Sequence, residues 1–143
     1  MFPLVRHRLQ FPPEVTALAA VRRFASDVAD ELGSAVDRDD LAVVVGELAA
    51  NAAIHQGDDA ELAIAELDDG GLLVEVVDRD RRQLEVIDGP AWDVEGHRGL
   101  LLVEALSAAW GVEVTDDGKR VWAQLAPVPA GARRSADPTA GAR

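Results

Sequence analysis

Apolar residues recur at three- and four-residue intervals early in the chain and at two-residue intervals in short runs later, so helices come first and strands follow. From Glu14 to Leu32, Val15, Leu18, Ala19, Val21, Phe24, Ala25, Val28 and Leu32 recur at three- and four-residue spacing, with Gly33 behind them as a stop; an amphipathic helix is predicted. A second helix is expected from Asp37-Arg38-Asp39-Asp40, whose carboxylates suit a helix N-terminus, to about His55 before Gly57. The alternation of His7 to Phe11, closed by Pro12-Pro13, reads as a short edge strand. Ala60–Leu67 and Leu72–Val77 form a predicted hairpin around Asp68-Asp69-Gly70-Gly71. Leu100 to Trp110 reads as a third helix, and Val112–Thr115 with Arg120–Leu125 as a second hairpin around Asp116-Asp117-Gly118-Lys119. Between these, residues 79–98 are charged, contain Gly89-Pro90 and keep no period, which predicts a long loop with one short extended piece at Leu84–Ile87.

This order implies an α+β fold: a two-layer sandwich whose mixed, mostly antiparallel sheet of about five strands is covered on one face by three helices. One domain is expected over residues 1–126, followed by a disordered tail at 127–143, where Pro, Ala, Gly, Ser and Arg replace any apolar period. Neither G-x-x-x-x-G-K-[ST] nor G-x-G-x-x-G after a strand occurs, so a parallel nucleotide-binding sheet with a familiar phosphate loop is not expected.

Composition narrows the function. The 143 residues include no Cys and three His, which leaves no thiolate metal site or disulfide framework and argues against a zinc cage. No apolar run is long enough for a membrane span or a signal peptide, and a cytoplasmic location is expected. The formal net charge of −12 repels polyanions and argues against direct nucleic-acid binding. An anionic nucleotide then needs local donors, a metal ion or nearby Arg and Lys to offset that field.

The second predicted helix carries the strongest chemical signal. Between Leu41 and Ile54, only Glu47 and Asn51 are neither apolar nor Gly; they lie four apart on one helix face, and His55 continues the stripe one turn on. On so apolar a helix a carboxylate and an amide need partners, since burying them bare costs about 1–3 kcal/mol each. Glu47 suits positioning of a hydroxyl or water, and the Asn51 oxygen suits a hard cation such as Mg²⁺. The alternative, a stripe facing solvent, stays open on spacing alone. Asp78 closes a strand where an acceptor reaches a ligand, though Asp there also forms turns. Gly96-His97-Arg98-Gly99 precedes the third helix, where free N–H groups and the Arg98 charge suit an anion, as they also suit an ordinary turn. Trp92, Trp110 and Trp122 read as packing residues, and Arg79, Arg81 and Arg82 as a solvated loop face or a phosphate or partner contact.

Taken in order, Glu47-Leu48-Ala49-Ala50-Asn51-Ala52-Ala53-Ile54-His55, Val76-Val77-Asp78, Gly96-His97-Arg98-Gly99-Leu100, Trp110-Gly111-Val112 and Gly118-Lys119-Arg120-Val121-Trp122-Ala123 resemble the ATP-binding domain shared by histidine kinases, gyrase, Hsp90 and MutL. Within it, the chain is most similar to the anti-sigma-factor serine kinases in their short actinobacterial form, over residues 14–125. The resemblance implies an ATP-binding regulatory protein, a serine/threonine protein kinase acting on an antagonist protein. A sigma factor is implied as a further partner, and a homodimer by analogy. It implies Glu47 as the general base for the partner's serine, Asn51 as the Mg²⁺ ligand and Asp78 as acceptor for the adenine amine. His55, Gly96, Arg98, Gly99 and Leu100 would complete the nucleotide contacts, with residues 79–98 as the lid. Two departures stand out: Asp80, where relatives carry Gly or a small residue, and Arg120, where many carry Thr or Ser, which is expected to weaken a hydrogen bond near the adenine. A non-catalytic binding module that keeps the fold with weak or no ATP binding is the alternative.

Overall fold

The structure, a computed structural model, describes residues 4–54, 59–78, 99–116 and 118–129. It comprises β1 (His7–Phe11), α1 (Leu18–Leu32), α2 (Arg38–Ile54), β2 (Ala60–Glu66), β3 (Leu72–Asp78), α3 (Gly99–Leu106), β4 (Ala109–Thr115) and β5 (Gly118–Leu125). The strands form one sheet in the order β1-β2-β3-β5-β4, and every neighbouring pair is antiparallel. Helix α2 lies in the middle of the helical layer, against α1 and α3 and over β2, β3 and β5; α1 packs on β1 and β2, and α3 on β4. The expected α+β sandwich is the observed one.

Alternation in the strands decides which side chains meet the helices. Leu62 and Ile64 of β2, Leu72, Val74 and Val76 of β3, and Val121, Ala123 and Leu125 of β5 are buried with Val44, Val45 and Leu48 of α2 in a single core. Leu41 and Val28 extend that core along the helices. Burial of each such side chain contributes about 1.5–3 kcal/mol, which makes this layer the main source of stability.

Local signals explain the element ends. Pro12-Pro13 leaves Glu14 extended at φ −131 and ψ 137, and a 3-10 turn over Val15–Ala17 intervenes, so α1 starts at Leu18 rather than at Glu14. At its other end Gly33 adopts φ 65; its N–H donates to the Asp30 carbonyl at 3.1 Å and that of Ser34 to Ala29 at 3.0 Å, the paired bonds of a Schellman stop. Helix α2 is capped by Asp37, whose Oδ1 accepts from the N–H groups of Asp39 at 2.9 Å and Asp40 at 3.0 Å.

The third helix is shorter than its apolar run predicts. It ends at Leu106, and Trp110 lies in β4, opposite Ala123 of β5. Leu106, Ala108, Ala109 and Trp110 satisfy a helical and a strand period equally, and pairing with β5 settles the matter. The expected extended piece at Leu84–Ile87, the lid at 79–98 and Trp92 lie outside the described residues. So does the tail from residue 130; ahead of it, the Val128 N–H donates to the Ala35 carbonyl at 2.9 Å.

Candidate functional site

The direction of α2 decides which end of the sheet its polar residues reach. The loop before the helix is fastened to the β2–β3 turn, where Ser34 Oγ donates to the Gly70 carbonyl at 3.2 Å. From there α2, about 25 Å long over its 17 residues, packs along β3, a strand of about 23 Å over 7 residues. The C-terminal half of α2, with Glu47 and Asn51, therefore reaches toward the Asp78 end of β3.

Asn51 is 4% exposed, and its Oδ1 is buried with no hydrogen-bond partner among the described residues. A bare carbonyl oxygen in that position costs about 1–3 kcal/mol, and its burial rules out the solvent-facing reading for this residue. Glu47, one turn earlier, is half-buried and so open to something outside the core. The neighbouring position is Gly46, across which Arg22 of α1 lies; a Cβ there would stand 2.7 Å from Arg22 Nε. This close approach brings a cation to the α1–α2 seam at Gly46, the position before Glu47. The sequence conveys none of it, because Arg22 falls on the polar side of α1 and reads as a solvated residue.

Asp78 is the last residue of β3 and is 2% exposed. Its register partner on β5 is Lys119, 4% exposed. Directly opposed residues of an antiparallel pair point to the same face, and both are in phase with the core positions Val76 and Val121, so carboxylate and ammonium stand on the helix side of the sheet. Asp78 and Lys119 each engage a partner.

Strand parity turns Arg120 the other way. Arg120 lies on the open face of the sheet, where its Nε donates to Glu75 Oε2 and its guanidinium also meets Glu113 Oε1 at 3.0 Å. Its guanidinium carbon lies 5.8 Å from the Trp122 ring centroid, a cation–π distance. The residue presented to the helix side is Lys119. Period-two alternation along Lys119, Val121, Ala123 and Leu125 is the signal that identifies it.

The open face is an electrostatic ladder. Arg6 Nε donates to Glu75 Oε1 at 2.6 Å, Arg120 holds the other oxygen, and Arg8 meets Glu61 at 2.8 Å nearer the edge. Burial pushes the Glu75 carboxyl up, but the hydrogen bonds and charges of Arg6 and Arg120 outweigh it and hold the group below the usual carboxylate range.

Of the other expected positions, Gly99 opens α3, and Leu100, 4% exposed, packs into the core. His55, Gly96 and Arg98, together with Arg79, Asp80, Arg81 and Arg82, lie outside the described residues. Trp110 packs against the core and Trp122 covers the open face, both as packing residues.

Comparison with known proteins meets this geometry. No curated protein matches the chain. Among solved structures, the chain is similar to one described as "The crystal structure of the RsbU and RsbW domains of Rv1364c from Mycobacterium tuberculosis", with a TM-score of 0.61 and 21% sequence identity. The match covers 87% of this chain and 33% of that one, so this chain spans a third of that protein's length and shares its fold. The family described as "Histidine kinase-like ATPase domain" matches residues 11–125, from the last residue of β1 to the last of β5, and takes in Glu47, Asn51 and Asp78. By that match, over most of its length, the chain belongs to the histidine kinase-like ATPase domain family.

Proposed function

We propose that this chain binds ATP with Mg²⁺ and is a serine protein kinase of the anti-sigma-factor type, phosphorylating a small antagonist protein and holding a sigma factor as its second partner. The carrying observation is the buried Oδ1 of Asn51, without a hydrogen-bond partner among the described residues, one turn from half-buried Glu47 on the central helix of an ATPase-family fold. A single neutral oxygen fits Mg²⁺, which keeps most of its shell as water and phosphate and takes few protein ligands. Bound there, the cation would neutralise charge on the phosphates. Asp78 accepts from the adenine amine. Gly99 and the backbone of Leu100, in the first turn of α3, offer N–H groups to phosphate, joined by Gly96, Arg98 and His55.

In the transfer, Glu47 orients the partner's serine hydroxyl and takes its proton as the new bond to the γ-phosphorus forms and the bond to the β–γ bridging oxygen breaks, releasing ADP. Positioning and charge stabilisation supply most of such a rate, so few groups suffice.

The test is thermal unfolding with ATP and Mg²⁺. A hundredfold excess over Kd should stabilise the chain by about 2.7 kcal/mol, and Asn51→Ala should remove the shift. An equal shift in both proteins would count against the site. Glu47→Ala should keep the shift yet lose transfer of radiolabelled phosphate to the antagonist; undiminished transfer takes the base role from Glu47.

A further inference from the structure

We infer that Lys119 reads the nucleotide base: its ammonium, beside the Asp78 carboxylate on the helix side of the sheet, donates to ring N1 of the adenine whose exocyclic amine Asp78 accepts. This rests on the ATP-binding reading above and adds to it a residue that sets base specificity.

Position comes first. Along β3 and β5 the helix-side positions are Leu72, Val74 and Val76 opposite Leu125, Ala123 and Val121, all apolar and buried. Charge enters that face only at its last rung, Asp78 opposite Lys119, at the end toward which the Asn51 half of α2 runs. A rung of Val or Thr would close the core at less cost, since desolvating a carboxylate and an ammonium together is seldom repaid in stability alone. A charged pair is intelligible there if a ligand meets it.

The chemistry comes second. A carboxylate only accepts and an ammonium only donates. Set on one face with Cβ atoms about 5 Å apart, they form an acceptor–donor couple. The pairing edge of adenine carries the matching couple, the N6 amine as donor and N1 as acceptor. The 6-oxo purines carry the reverse order, a carbonyl acceptor at position 6 and an N1–H donor. Lysine has three N–H bonds, so one bond to a neighbour leaves others for the base. The arrangement therefore selects ATP over GTP and ITP by two bonds, and leaves either purine of the wrong order with an unpaired buried group.

The discriminating probe is 1-deaza-ATP, in which a C–H replaces N1, compared with ATP by calorimetry in the presence of Mg²⁺. For the wild-type chain, 1-deaza-ATP should bind about tenfold more weakly than ATP. Lys119→Met should bind ATP about tenfold more weakly and should no longer distinguish the two nucleotides. Equal affinity of the wild-type chain for ATP and 1-deaza-ATP overturns the inference alone, and needs no variant to fold. Undiminished discrimination by Lys119→Met also overturns it, as does an equal loss for both nucleotides, which marks a structural lysine. Binding of neither nucleotide by the wild-type chain sinks the ATP-binding reading itself.

Discussion

Glu75 shows how one side chain ties stability to pH. It is 5% exposed, and both its oxygens are held by guanidinium groups. Its folded-state pKa is lowered from 4.5, so its contribution is fully present above pH 4.5 and disappears as pH falls through the lower folded value. Glu75→Gln should cost about 1–3 kcal/mol at pH 7, because Arg6 and Arg120 lose their counter-charge. Urea unfolding of both proteins should find that gap narrowing below pH 4.5. A gap that widens on acidification would show that the carboxylate is not what stabilises this face. Asn51 is the opposite case at the same scale: a polar atom buried without a hydrogen-bond partner among the described residues, at a cost in stability.

Among elements, α1 ends where its backbone turns left-handed. Gly33 has φ 65, and a Cβ added there would meet nothing within 4 Å, so Gly33→Ala isolates the conformational cost. The expected loss is about 1 kcal/mol by denaturant unfolding, with Gly33→Asn losing less. Full stability of the Ala variant would mean that the stop is held by Ser34 alone. Gly46 has a different reason to be small, since Arg22 lies across it. The atoms met are the far end of a flexible side chain, so Gly46→Ala should fold with stability within about 1 kcal/mol of wild type, its gain in helix propensity offsetting the shift of Arg22.

For the whole molecule, the net charge of −12 works against compactness and against an anionic ligand. Raising NaCl from 20 to 200 mM should raise the melting temperature by screening self-repulsion over a Debye length that falls from about 20 Å to about 7 Å. A fall would mean that the Arg6–Glu75–Arg120–Glu113 ladder outweighs the global field. ATP should shift the melting temperature with Mg²⁺ present and much less in EDTA, because the cation relieves the repulsion between triphosphate and protein.

The fold was legible because period and punctuation act locally. Val21, Ala25 and Val28 mark one face of α1, Asp68-Asp69-Gly70-Gly71 marks a turn, and neither needs the rest of the chain. Glu47 and Asn51 stood out for the same reason, as polar residues four apart on an apolar helix. Where a boundary satisfied two periods, as at Ala109 and Trp110, pairing with β5 decided it. Adjacent Lys119 and Arg120 were distinguishable only by which face each rung of β5 presents, since a one-residue difference along a strand exchanges the helix side for the open side. Arg22 across Gly46, and Lys119 opposite Asp78, are long-range juxtapositions; packing alone creates them, because sequence spacing carries no information about which elements become neighbours.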